Sequence, residues 1–155
     1  MSATPDFAAL DFEVRRLIYD ELIERGAVPG ASQLAKVLGR TIGEVRDALK
    51  RMKEAHTLVL QEGDEEILMA MPFSAVPTPF LVKIGESAWW GNCIWDAIGI
   101  AAMVRKDAII TTSCGDCNDA MEVRIEDNSV RVTGGEGIVH FSVPAARWWD
   151  NIKFT

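Results

Sequence analysis

The stretch Ser87-Ala88-Trp89-Trp90-Gly91-Asn92-Cys93-Ile94-Trp95-Asp96-Ala97-Ile98-Gly99-Ile100-Ala101-Ala102-Met103 decides how this chain is read. Its residues are small, aliphatic or aromatic, with no proline, lysine or arginine, and such a run predicts a buried helix over 87–103. Cys93 and Asp96 then share one helical face, about one turn apart. A thiol near a helix start meets the positive end of the amide dipoles and ionises more readily, whereas a carboxylate in apolar surroundings keeps its proton. The pair predicts a soft nucleophile beside a proton carrier. The competing reading makes Cys93 a small buried hydrophobe and Asp96 a capping residue. A carboxylate between Trp95 and Ala97 is costly to bury unpaired, which favours a functional role.

Upstream of this stretch, Pro72 to Pro79 holds three prolines and reads as a linker at 73–79, dividing a helical unit (1–72) from a second domain (80–155). In the first unit, Leu10, Val14, Leu17, Ile18, Leu22 and Ile23 recur at helical spacing from Phe7 to Arg25, and Gly26 marks the stop. A second helix over 31–39 ends at Gly39, and Thr41 with Glu44 forms a capping box for a third. Residues 56–60 and 67–71 then flank a glycine turn as a hairpin. Three helices and a hairpin describe a winged-helix-like unit. Arg40, Arg46, Lys50, Arg51 and Lys53 lie on its third helix, but Glu44, Asp47, Glu54 and an acidic hairpin tip interrupt that charge. Packing or oligomerisation, a homodimer included, suits such a unit better than DNA binding.

Downstream, residues 80–84, 108–112, 121–125, 129–133 and 138–143 are short, β-branched runs bounded by turn residues. The expected fold class is α+β, with a small mixed or antiparallel sheet packed on the apolar helix. Pro144 opens a last short helix holding Trp148 and Trp149.

Composition narrows the function. With 155 residues, 48% of them hydrophobic, the chain can bury one good core or two small subdomains. A net charge of −7 disfavours general attraction to nucleic-acid backbones. No stretch reads as a signal peptide or a membrane span, and three cysteines suit free thiols in the cytoplasm better than a disulfide framework. Cys114-Gly115-Asp116-Cys117 is one C-x-x-C pair, too few ligands for a complete zinc site unless Cys93, His140 or a carboxylate joins it. Soft-metal affinity is common to all three thiols, so Cys93, Asp96, Cys114 and Cys117 form the candidate metal set. His140 is second-tier, as is Trp95, whose ring could wall an apolar ligand site.

Taken together, Gly91-Asn92-Cys93-Ile94-Trp95-Asp96-Ala97, Ile110-Thr111-Thr112-Ser113-Cys114 and Val139-His140-Phe141-Ser142-Val143-Pro144, with Trp148 after them, resemble the organomercurial (alkylmercury) lyase family over nearly the whole chain. The resemblance implies protonolysis of carbon–mercury bonds, with Cys93 as attacking thiolate and mercury ligand and Asp96 as proton carrier and further ligand. It implies a structural role for Cys114, no required cofactor, Hg(II) or another soft metal as the bound ion, an organometallic substrate, and cellular thiols as acceptors. The family's second catalytic cysteine belongs just before the His-Phe segment, where this chain reads Gly134-Gly135-Glu136-Gly137 and Glu136 stands near its place. The chain is thus a divergent member, and its end after the tryptophan pair comes earlier than the resemblance leads one to expect. Two other functions stay open: a non-catalytic thiol protein holding Hg, Zn or Cu, and a winged-helix regulator sensing a ligand.

Overall fold

In the computed structural model, which describes residues 7–63, 65–133 and 137–153, three helices lead into one antiparallel sheet. Helix α1 (Phe7–Arg25) turns Leu10, Val14, Ile18 and Leu22 inward, one residue per turn, and all four are buried. Helix α2 (Ala31–Leu38) ends on Gly39, whose left-handed φ of 63° suits a residue without Cβ. Helix α3 (Ile42–Glu54) carries the expected capping box: Glu44 N–H donates to Thr41 Oγ1 at 3.2 Å, and Thr41 N–H donates to Glu44 Oε2 at 2.9 Å. Its inner face buries Val45, Ala48, Leu49 and Met52 against the other helices, while Ile42 is exposed.

The strands are β1 (Val59–Leu60), β2 (Ile67–Ala70), β3 (Phe73–Ser74), β4 (Leu81–Ile84), β5 (Ser87–Gly91), β6 (Ala108–Ser113), β7 (Ala120–Glu126) and β8 (Ser129–Thr133). They form a single eight-stranded sheet in the order β1-β2-β3-β5-β4-β6-β7-β8. Strand β3 lies within the expected linker, where Phe73 pairs with Ala70 on one side and Gly91 on the other. The sheet therefore runs without a break from the hairpin after α3 to β8. Phe73 is fully buried at the join and meets the rings of Tyr19 and Trp89 edge-on. Trp89 Nε1–H donates to the Leu22 carbonyl at 2.7 Å, and the Tyr19 hydroxyl donates to the Met71 carbonyl at 2.8 Å. Each bond fixes α1 on the sheet and gives a half-buried or buried polar group its partner.

Two expectations need correction. The predicted helix over 87–103 begins as strand: residues 87–91 form β5, and helix α4 spans Ile94–Val104. Gly85, at φ 59°, turns β4 into β5 so that Ile84 pairs with Ser87, and Trp89 and Trp90 suit a pleated surface paired on both edges. Apolar content alone does not separate a buried strand from a buried helix. The predicted strand over 138–143 is also absent, since residues 137–141 join no ladder. Side-chain contacts hold that segment instead: Gly137 lies against Val132 and Met121, and Phe141 packs on Trp95 and Trp148. The final helix after Pro144 is a 3-10 helix over Ala145–Asp150. Its Trp149 stacks on His56 with ring centroids 4.2 Å apart.

Candidate functional site

Helix α4 begins where β5 ends, and that junction builds the site. Cys93 is the N-cap residue, in extended conformation, and its Sγ accepts the Asp96 N–H at 3.4 Å. A side-chain acceptor here satisfies one of the open amides of the first turn, a role usually taken by Ser, Thr, Asp or Asn. The sulfur and the Asp96 carboxyl are thereby locked to the same turn.

The junction is tight. A Cβ on Gly91 would come within 2.8 Å of the Ala97 backbone nitrogen and 2.9 Å of its Cα, so only glycine lets β5 pass so close to the helix start. The next residue, Asn92, reaches over Asp96: its Nδ2 donates to Asp96 Oδ2 at 3.0 Å and to the Pro72 carbonyl at 3.2 Å. Two acceptors on one nitrogen fix which way the amide points. Its Oδ1 is buried and has no partner among the described residues.

Burial pushes the Cys93 thiol above its ordinary pKa, despite the N–H groups of Asp96 and Trp95 at its sulfur, and the Asp96 charge acts in the same direction as burial. The expected easing of ionisation by the helix start is outweighed. Burial likewise raises Asp96, with the Asn92 amide opposing. A carboxyl that resists ionisation is the expected property, and here it sits beside a thiol that also holds its proton. The Asp96 charge extends to Tyr19, whose pKa is raised first by burial, against Arg15, with Asp96 adding a smaller push.

The other predicted residues lie elsewhere. Cys114 follows β6 and is half-buried, and Cys117 is exposed. The N–H groups of Cys117 and Asp116 and the Cys117 thiol donate to the Cys114 sulfur and hold its pKa below the usual thiol range. Among the described residues no three His, Cys, Asp or Glu side chains gather as a metal cluster. No three of the four expected ligands therefore gather at one point: Cys93 and Asp96 share the first turn of α4, and Cys114 and Cys117 share the turn after β6. Glu136 lies outside the described residues. His140 is exposed on the rim of a cleft of about 650 Å³ between α4 and β6–β8, whose walls include Ile94, Ile98, Thr112, Cys114 and Val123. Trp95 is 56% exposed and meets Phe141 edge-on at 6.0 Å, forming a smaller apolar recess with Trp148.

Sequence reading missed Asn92, Gly91 and Tyr19. Asn92 precedes Asp96 by four residues, but the helical reading placed it as one more position in a continuous helix. Tyr19 carries no local signal, since only the packing of α1 on the sheet brings it near Asp96.

Fold and site together define an α+β protein with a thiol and a carboxyl on the first turn of an apolar helix. The model of the alkylmercury lyase family, MerB, matches residues 73–155, more than half of the chain, and the chain belongs to that family. A solved structure, the mercury-bound form of MerB2, is similar with a TM-score of 0.64 at 20% sequence identity, over 84% of this chain and 62% of that one. The chain thus spans less than two thirds of that relative's length. No curated protein sequence matches it. Among the described residues no helix is long and apolar enough to cross a membrane.

Proposed function

We propose that the chain cleaves carbon–mercury bonds by protonolysis, with Cys93 as thiol nucleophile and Asp96 as proton donor. The observation that carries this reading is the fixed pair at the start of α4, with Asp96 N–H on Cys93 Sγ at 3.4 Å and the Asp96 carboxyl clamped by Asn92 at 3.0 Å. An organomercurial is the substrate. Its mercury binds the Cys93 sulfur and displaces the thiol proton, since a thiol coordinated to a metal ion is deprotonated. The displaced thiol proton passes to solvent, and Asp96 delivers the proton it already holds to the carbon as the carbon–mercury bond breaks, so the bonding electron pair leaves with the hydrocarbon and the carboxyl is reprotonated from solvent. Hg(II) stays on sulfur.

A second soft ligand is needed to release the metal, and a small cellular thiol fills that role. The family membership, the Cys93–Asp96 geometry and the lack of any three-ligand cluster among the described residues support this division of labour. Incubation with an arylmercury compound and excess thiol, followed by measurement of arene release, tests it. Release by wild type no greater than by Cys93→Ala rejects the enzyme.

The non-catalytic thiol-binding reading separates from this one at Asp96→Asn, which it expects to leave metal affinity almost unchanged. The regulator reading has less support, because cations on and just before α3 face acids: Arg46 pairs with Glu65 at 3.3 Å, Arg51 Nε donates to Asp11 Oδ2 at 3.0 Å, and Arg40 lies 3.9 Å from Glu44. Duplex binding in low salt that weakens on mutating Arg46 and Lys50 would restore it.

A further inference from the structure

The Cys114–Cys117 turn has a geometry that the lyase reading leaves unused. At the end of β6 the chain closes one helix-like turn: Asn118 N–H donates to the Cys114 carbonyl at 2.9 Å, and Cys114 N–H donates to the Asp119 carbonyl at 2.8 Å. Asn118, at φ 60°, then reverses the chain into β7. In a turn closed by an i to i+4 bond, residues three apart are neighbours, with Cα atoms about 5 Å apart by helix geometry. That is close to what a disulfide needs, for which Cα atoms lie about 4.4–6.8 Å apart. Both cysteines are free thiols on this one turn. Cys114, with Gly115 and Asp116, lines the cleft of about 650 Å³, whereas Cys117 faces solvent.

One thiol therefore sits at a cleft wall and the other follows it on the same turn. No third His, Cys, Asp or Glu among the described residues completes a metal cluster around the two. Two thiols on one turn without further ligands suit exchange with sulfur rather than a closed metal site.

We propose that Cys114 and Cys117 form a thiol–disulfide exchange site that reduces a small-molecule disulfide of the glutathione class and closes to an intramolecular disulfide. The Cys114 thiolate attacks one sulfur of the small disulfide, whose S–S bond breaks, and the departing thiolate takes up the proton that Cys114 lost. Cys117 then loses its proton and attacks the Cys114 sulfur of the mixed disulfide. The Cys114–Cys117 bond forms and the second small thiol leaves with that proton. Two protein thiols are oxidised and one disulfide is reduced to two thiols. Cys93 takes no part, so the proposal does not rest on the lyase reading.

The test equilibrates the reduced full chain anaerobically with graded ratios of oxidised to reduced glutathione, then acid-quenches, alkylates and maps it by mass. Loss of two hydrogens with a Cys114–Cys117 link, while Cys93 remains alkylated, is the expected result. Cys117→Ser, with its circular dichroism checked against wild type, is expected to accumulate a single glutathione on Cys114, at least about tenfold above the wild-type level, because no resolving thiol remains. The proposal is overturned if Cys114 and Cys117 both stay alkylatable at the most oxidising ratio, or if the adduct on folded Cys117→Ser sits on Cys93 in place of Cys114.

Discussion

The two thiol regions of this chain are built on opposite principles. At the start of α4, Cys93 is half-buried, caps a helix, and has a carboxyl on the same turn, and burial raises the pKa of both groups. After β6, Cys114 and Cys117 share an exposed turn whose amides and second thiol favour the Cys114 thiolate. A protonated thiol–acid pair suits a reaction that ends by giving a proton to carbon, whereas a thiolate backed by a second thiol suits attack on sulfur. Local environment, more than residue type, separates the roles.

The largest effect that would sharpen this contrast is at Cys93. Cys93→Ser should lower arene release by about a thousandfold or more, since a hydroxyl is a poor ligand and nucleophile for mercury. Retained release would move the chemistry to the other thiols. Asp96→Asn should cost about a hundredfold or more, the range of lost general acid catalysis.

The pH profile carries the same contrast. Proton donation needs the protonated carboxyl, and burial raises its pKa, so arene release should fall with rising pH only above the ordinary carboxylate range. Stability has the same sign. The contribution of protonated Asp96 is full below its unfolded pKa and is lost as pH rises through its raised folded value. Asp96→Asn should therefore raise the urea midpoint at neutral pH even as it removes activity.

Gly91→Ala should destabilise the fold by about 3 kcal/mol in urea titration, because the added methyl meets the Ala97 backbone at less than 3.0 Å. A neutral result would mean that the β5–α4 junction is looser than it stands here. Asn92→Ala should cost about 1–2 kcal/mol, leaving the Pro72 carbonyl without that donor. It should also shift the descending limb of the pH–rate profile upward, because the Asn92 amide holds the Asp96 pKa down. The smallest effect is expected at exposed Cys117, where Cys117→Ser should leave arene release within about twofold and stability within about 0.5 kcal/mol. A large loss of arene release there would join the two regions into one site.

Much of the N-terminal half was legible from residues alone. The spacing of Leu10, Val14, Ile18 and Leu22, the Thr41–Glu44 box and Gly39 each encode a local choice that needs no distant partner, and each is present. The central stretch was legible in chemistry but not in shape, since its apolar run suits strand and helix equally until β3 and β4 supply edges for β5. Residues 138–143 show the converse, a β-branched segment held by the aromatic side chains of Trp95 and Trp148 in place of a ladder.

The sequence by itself determined that a thiol and a carboxyl lie three residues apart in an apolar setting, because that spacing and composition are local properties. Tertiary structure alone decided that Cys93 caps the helix rather than sitting inside it, and that Asn92, anchored on the Pro72 carbonyl, clamps Asp96. It also decided that Cys114 and Cys117 share one closed turn after β6. These outcomes depend on which strand edges meet and how closely β5 passes α4, and such long-range contacts leave no periodicity in the chain for a reader to find.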